Sequence, residues 1–221
     1  AARLVFAFIG GDALEYFDTR TFGTLYLLHE DELDRIYGLS SLGPEPLSPG
    51  FTVEYMVEKL AKRKGKLKSV LLDQRFIGGL GNIYVDESLA ISGIHPETEA
   101  SALTLADIER LHSAINSVIE RGICSGGTTF RDYRDAEGNR GAFQESLCVY
   151  GRKGLPCIHC GTEIVRIEVG GRGEQMLAVR GHFRLFDDLE AHAFGRPDPE
   201  RAAAGLADVL HHSGYAQGAV D

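Results

Sequence analysis

Several things are missing from this chain, and each absence narrows what it does. No apolar run approaches the roughly 18 residues that a membrane span needs, and no charged-then-apolar segment opens the chain as a secretion signal. Cytoplasm is therefore the expected compartment, with no membrane partner. Cysteine is scarce: Cys124, Cys148, Cys157 and Cys160 are too few and too unevenly spaced for a disulfide scaffold. Neither a G-x-G-x-x-G order after a strand nor a Gly-Lys-Ser/Thr phosphate loop occurs, which argues against a dinucleotide or Walker-type site. A surplus of positive charge is also missing, the formal net charge being −9.

The distribution of charge qualifies that last absence. Residues 1–50 carry 3 basic and 8 acidic side chains, residues 174–221 carry 4 and 8, and residues 51–173 carry 16 of each. Inside the neutral middle, Lys59, Lys62, Arg63, Lys64, Lys66 and Lys68 form a basic run. Such a run is either a local footprint for phosphates or a solvated helix face. The total of 221 residues, 43% hydrophobic and 25% charged, is ordinary for a globular protein with one large domain or two small ones.

The basic run leads into Gly78-Gly79-Leu80-Gly81-Asn82-Ile83-Tyr84. Residues 68–76 before it and 84–92 after it read as short helices, the second ended by Gly93 and followed by Pro96. Helix, glycine turn, helix is a compact element that DNA-binding proteins often use. With Asn82 expected as N-cap, the unpaired amides opening the second helix make a natural phosphate seat. Taken alone, the same glycines also fit a plain tight turn between core helices.

Elsewhere, residues 3–8 and 13–17 read as a hairpin around Gly10-Gly11-Asp12, residues 22–28 as a third strand, and residues 31–37 as a short amphipathic helix. Residues 42–50, rich in proline and glycine, read as a linker. Val53, Met56, Val57 and Leu60 share one helical face, and residues 104–121 form a longer helix that Thr104 caps and Gly122 ends. Residues 126–141 read as a ligand-facing loop, residues 143–150 as extended, and residues 163–169 as a strand before the turn Gly170-Gly171-Arg172-Gly173. A helix is expected after Asp198-Pro199, in a tail without assignable chemistry.

Six motifs in order give these elements a family likeness. They are Asp18-Thr19-Arg20-Thr21-Phe22-Gly23, Leu42-Gly43-Pro44-Glu45-Pro46-Leu47, and Gly79 to Tyr84 with Glu87-Ser88-Leu89 and Gly93-Ile94-His95-Pro96. Gly126-Gly127-Thr128-Thr129, Val149-Tyr150-Gly151-Arg152-Lys153-Gly154, and Cys157 to Cys160 follow. Over residues 3–173 the chain resembles the C-terminal part of the formamidopyrimidine-DNA glycosylases and their endonuclease VIII-like relatives. The resemblance implies an α+β fold: the remnant of an N-terminal β-sandwich with its linker (1–50), a helix-two-turn-helix DNA-binding domain with a lesion loop (51–142), an incomplete zinc-finger-like β-hairpin (143–173) and an atypical tail (174–221). It implies a monomer that binds duplex DNA at a damaged or abasic site, in a bacterial cytoplasm and at the nucleoid.

The same resemblance assigns residues. Arg20 and Phe22 match side chains inserted into the duplex, where they offset the cost of extruding a base. Lys68 and Asn82 match positions that bind phosphates flanking the lesion, Arg172 matches a hairpin-tip arginine that grips phosphate, Gly81 and Tyr150 match DNA-binding positions, and Thr128 and Thr129 open the loop over the flipped base. Two departures qualify the assignment. The family's nucleophile is an N-terminal proline amine followed by a glutamate, and Ala1 stands in strands matching a later part of the fold. The 221 residues are therefore expected to hold no catalytic residue. Cys157 and Cys160 are half of a four-cysteine zinc site, and Glu174-Gln175-Met176-Leu177 stands where the second pair belongs; His182 and His192 fit no standard spacing. Both departures lie at the ends, which suggests a missing 5′ portion and a frame change near residue 173. The implied activity is base-excision repair by an oxidised-purine DNA glycosylase with abasic-site lyase activity through a Schiff base. The alternative is a non-catalytic module that binds damaged or abasic DNA.

Overall fold

The computed structural model describes residues 4–18, 21–130, 138–169 and 175–179. The chain divides into two units, Ala1–Ser41 and Leu42–Asp221. In the first, strands β1 (Leu4–Ala7) and β2 (Ala13–Tyr16) pair antiparallel, from Leu4 opposite Tyr16 to Ala7 opposite Ala13. The expected hairpin turn closes through Phe8 N–H to the Asp12 carbonyl (2.9 Å).

Residues 22–28 do not form the expected third strand. The Asp18 carboxylate accepts the backbone N–H groups of Thr21 (2.8 Å) and Gly23 (2.7 Å), folding a side-chain-closed turn where a strand would have to begin. The short helix expected over residues 31–37 is a 3-10 turn, Glu30–Arg35, followed by α1 (Tyr37–Ser40). None of the residues described in this unit is buried, and Phe6, Phe8, Ile9 and Leu27 are among its exposed apolar side chains.

The second unit has a core. Helix α2 (Val53–Leu60) starts at Thr52, whose hydroxyl accepts the Tyr55 N–H (3.1 Å), and buries Met56 and Leu60 while Val57 stays at the edge of the stripe. Helix α3 (Leu67–Leu71) is short, and its first N–H groups find carbonyls across a turn: Leu67 to Thr98 (2.8 Å) and Lys68 to Pro96 (3.1 Å). Helix α4 (Asn82–Ser92) ends at Gly93 in the left-handed region. Helix α5 (Leu105–Cys124) opens with a reciprocal cap between Thr104 and Asp107 and buries Ile108, Leu111 and Ile115 against α4 and α2. Each such side chain contributes about 1.5–3 kcal/mol by leaving water.

Gly122 does not end α5. The helix continues to Cys124, and Ser125 is the cap. A Cβ at Gly122 would lie 2.6 Å from the Tyr84 ring, so the glycine makes room for an aromatic side chain from α4. Residues 143–150 are not extended either: Phe143–Ser146 is a 3-10 turn, and the next N–H groups go to a side chain of α4. Strand β3 (Ile164–Glu168) pairs antiparallel with β4 (Gln175–Val179), Ile164 opposite Val179, so the hairpin runs past residue 173. Backbone groups complete that ladder whatever the side-chain pattern of the second strand. The tail from 180 onward, with the helix expected after Asp198-Pro199, lies outside the described residues. Among the described residues no helix is long and apolar enough to cross a membrane.

Gly122 gives a test whose sign decides. Alanine in an ordinary helix interior is more stable than glycine by roughly 0.5–1 kcal/mol. Gly122→Ala is expected to destabilise instead, by about 1–3 kcal/mol from overpacking against Tyr84. Urea unfolding monitored by circular dichroism measures it, and a stabilised variant would contradict the packing described.

Candidate nucleic-acid interface

The glycine turn is braced from three sides. After α3 the chain reverses on Asp73, whose carbonyl accepts from Phe76 (2.7 Å) and Ile77 (3.2 Å). The Asp73 carboxylate takes Arg75 Nε (2.9 Å) and Arg63 Nη1 (3.0 Å). Hydrogen bonds from Arg75, opposed by burial and joined by Arg63, hold this carboxyl down to about 2. Gln74 then spans the turn, its Oε1 accepting from Gly79 N–H (2.8 Å) and its Nε2 donating to the Leu80 carbonyl (3.0 Å). Gly79 sits at φ +75°, which a side chain would strain.

The third brace is the segment expected as a linker. Gly43 N–H donates to the Gln74 carbonyl (2.9 Å), Gly78 N–H to that of Pro44 (3.2 Å), and Leu47 N–H to Asn116 Oδ1 of α5 (3.1 Å). His112 Nε2 lies 2.9 Å from the Phe51 carbonyl, so this nitrogen carries the proton. Residues 42–50 are part of the second unit.

The turn delivers the chain to α4. Gly81, exposed and extended, is the N-cap, and Asn82 is the first helical residue rather than the cap. The first bond back to the cap is Val85 N–H to the Gly81 carbonyl (3.0 Å), which leaves the N–H groups of residues 82–84 without intrahelical partners. Asn82 is half-buried and its Oδ1 is enclosed without a hydrogen-bond partner. Its NH2 group is the donor an anion needs, beside a helix end that favours negative charge.

The basic run is not a patch. Lys59 and Lys62 share Glu58 (3.6 Å each), Arg63 is held by Asp73, and Lys66 pairs with Glu97. Lys68, a candidate phosphate contact from sequence, is 1% exposed and places its ammonium 2.8 Å from Asp86 Oδ1, itself 0% exposed. That ion pair ties α3 to α4. Removing one partner of such a pair costs roughly 3–5 kcal/mol because the other charge is left buried.

Thr128 and Thr129 close the base of the loop. Thr128 Oγ1 lies 3.2 Å from the Tyr84 hydroxyl. Thr129 is buried, with its N–H on Gln144 Oε1 (2.8 Å) and its Oγ1 accepting from Gly141 N–H (2.9 Å). Gln144 Nε2 returns to the Gly141 carbonyl (2.7 Å). Tyr150 is half-buried, its ring 5.3 Å from that of exposed Phe130. Phe22, in the first unit, is 83% exposed. Arg20, Arg172, His182, His192 and loop residues 131–137 lie outside the described residues.

Sequence reasoning missed Glu87 as a structural centre. It is 1% exposed, and its carboxylate accepts the backbone N–H groups of Cys148 (2.7 Å), Val149 (2.9 Å) and Tyr150 (2.8 Å). Burial, with this carboxylate beside it, pushes the Cys148 thiol up to about 12, so it stays protonated. The available signal was the polar run Asp86-Glu87-Ser88 inside an otherwise apolar helix. Cys157 is buried and Cys160 exposed; among the described residues no group of three or more His, Cys, Asp or Glu side chains is placed to hold a metal. Two thiols fall short of the four ligands of a structural zinc centre.

The family profile "Formamidopyrimidine-DNA glycosylase H2TH domain" matches residues 42–134, the span of the braced turn, α4, α5 and the loop's first half. Residues 42–134 are an H2TH domain of the formamidopyrimidine-DNA glycosylase type. The chain is 48% identical over 171 residues to the formamidopyrimidine-DNA glycosylase of Geobacillus kaustophilus, covering 77% of this chain and 62% of that protein. With the Bacillus cereus enzyme of the same name it is 48% identical over 168 residues, 76% of this chain and 61% of the other. The crystal structure of the MutM (Fpg) protein of Thermus thermophilus superposes with a TM-score of 0.73 at 38% identity, covering 79% of this chain and 66% of that one. Lactococcus lactis Fpg in complex with DNA containing an abasic site gives 0.68 at 41% identity, over 75% and 60%. The chain thus spans about three fifths of the length of the curated relatives it matches.

Asp73 sets a pH dependence. Its folded value lies below the ordinary 3.8, so its contribution is fully present above about pH 4 and is lost as pH falls through about 2. With its partial exposure allowed for, that contribution is about 1–2 kcal/mol. Urea midpoints of the wild type are expected to fall across this window more steeply than those of Asp73→Asn; parallel profiles would contradict the assignment.

Proposed function

We propose that this chain binds duplex DNA at damaged or abasic sites in base-excision repair, within an oxidised-purine glycosylase and abasic-site lyase activity. The single observation that supports it best is the opening of α4. A rigidly braced glycine turn presents three N–H groups and the Asn82 carboxamide at a helix N-terminus, inside the segment that matches the H2TH profile. Backbone amides at a fixed helix end grip phosphates and set register without reading sequence. The Lactococcus lactis relative was crystallised with abasic-site DNA, which fits the same reading. Contacts assigned to Arg20, Phe22, Tyr150 and Arg172 belong to this proposal, as does the nucleoid of a bacterial cell as its place of work.

The lyase chemistry of the family, as the resemblance gives it, needs an N-terminal proline amine to attack the sugar C1′ and a glutamate to move protons. That chemistry is assigned to none of the described residues, and what is proposed for them is recognition. A zinc ion, which the resemblance also implies, would find two thiols among the described residues, and the binding reading does not depend on it.

Fluorescence anisotropy with a duplex carrying a tetrahydrofuran abasic analogue tests the proposal. Affinity is expected to exceed that for the intact duplex and to fall linearly on a log–log salt plot, with a slope of about −0.9 per phosphate neutralised. Equal affinity for both duplexes, or a flat salt plot, would sink it. Borohydride added to a true abasic duplex is expected to trap no covalent adduct with these residues, and a trapped adduct would show that the chain carries a nucleophile of its own.

A further inference from the structure

Helix α4 meets the segment after the loop through residues one turn apart. Tyr84 stacks on Phe143 (centroids 5.5 Å, planes 5° apart) and its hydroxyl meets Thr128. Three residues on, Glu87 takes the N–H groups of 148–150. Spacing of three puts both on one helical face, and that face therefore touches both ends of the loop and the segment beyond. The last of the three N–H groups belongs to Tyr150, whose ring packs against Phe130. The opposite side of α4 buries Val85 and Leu89 in the core and joins Asp86 to Lys68.

We propose that Glu87 is a positioning residue for damage recognition: its carboxylate locks residues 148–150 to α4, and so holds the Phe130–Tyr150 pair at a fixed place relative to the phosphate seat at Gly81 and Asn82. The proposal rests on the DNA-binding reading above. Three donors converging on two oxygens fix the segment in position and orientation, which one hydrogen bond cannot do. The lock is buried, so water does not compete for it. An aromatic pair at a set distance from a phosphate grip suits a duplex whose bases are displaced at one point. An intact duplex uses the phosphate grip alone. Glu87 thus acts on the ratio of affinities and leaves the general affinity for duplex largely as it is.

The experiment compares Glu87→Gln, Glu87→Ala and Leu111→Ala with the wild type, the last as a core variant remote from the lock. For each, anisotropy gives the affinity for the abasic-analogue duplex and for the intact one. A loss of folded protein weakens both affinities alike and leaves their ratio unchanged; the positioning role lowers the ratio. Glu87→Ala is expected to lower it about tenfold, as loss of a charge-assisted set of hydrogen bonds allows. Glu87→Gln, which keeps one acceptor oxygen, is expected to fall between, and Leu111→Ala to keep the wild-type ratio. Amide hydrogen exchange provides a readout without DNA: in Glu87→Gln the amides of residues 148–150 are expected to exchange at least about ten times faster while those of α5 are unchanged. A wild-type ratio in a folded Glu87→Gln, or unaltered exchange at 148–150, overturns the proposal. Wild-type protein that binds neither duplex refutes the DNA-binding reading and with it the recognition role, while exchange still decides whether the lock itself exists.

Discussion

A carboxylate taken out of water is tolerable only where the fold gives it donors or a counter-charge, and α4 takes two inside, side by side. Asp86 receives the ammonium of Lys68 from α3, and Glu87 receives three backbone N–H groups from residues 148–150. The two side chains leave the helix about 100° apart and reach different elements, α3 and residues 148–150, so the helix is held from two directions. Packing alone would not do this, because the apolar residues of α4 do not gather into a single stripe; Val85 and Leu89 face the core while Ile83, Tyr84 and Ile91 pack on Phe143 and Leu147. The rest of the second unit depends on the result: a helix held on both sides whose N-terminus alone opens outward.

The same geometry explains how the proposed DNA contact is compatible with an acidic chain. The cations of residues 59–68 are mostly spent on neighbouring acids, so they stiffen the approach to the turn and add little field. What faces outward at Gly81 is a set of N–H dipoles, which attract a phosphate without net positive charge. Such a site is worth little unless it is rigid, since ordering a loose loop around the phosphate would cost what the contact gains. Gln74, Gly43 and Pro44 supply that rigidity through hydrogen bonds from both sides of the turn.

Much of this was legible in the residues. The cap at Thr104, the apolar spacing of α5, the hairpin at Gly10-Gly11-Asp12 and the helix after the glycine turn were read correctly, because each depends on near neighbours in sequence. Three departures from the sequence reading share one cause, a partner far along the chain. Gly122 looks like a helix end by the local rule and is an opening for Tyr84, 38 positions earlier by residue number. Residues 143–150 read as extended from sequence, but Phe143–Ser146 is a 3-10 turn and the N–H groups of residues 148–150 go to Glu87, 61 to 63 residues away. Lys68 belongs to a basic run in sequence, but Asp86 turns it inward.

The two units show how far a pattern can go alone. In the first, β1 is an unbroken apolar run and Glu15 alone interrupts the apolar residues of β2, and the two strands pair in register, yet none of these side chains is buried. An apolar pattern states which residues are fit for burial and says nothing of what covers them. In the second, the core forms because four helices converge on it from separate stretches of sequence. The polar residues that hold those helices in place are also the ones that set the outward-facing end of α4. Stability and site are therefore not separable there: a change at Asp73, Gln74 or Glu87 acts on both, while a change at Leu111 or Ile115 acts through the core alone.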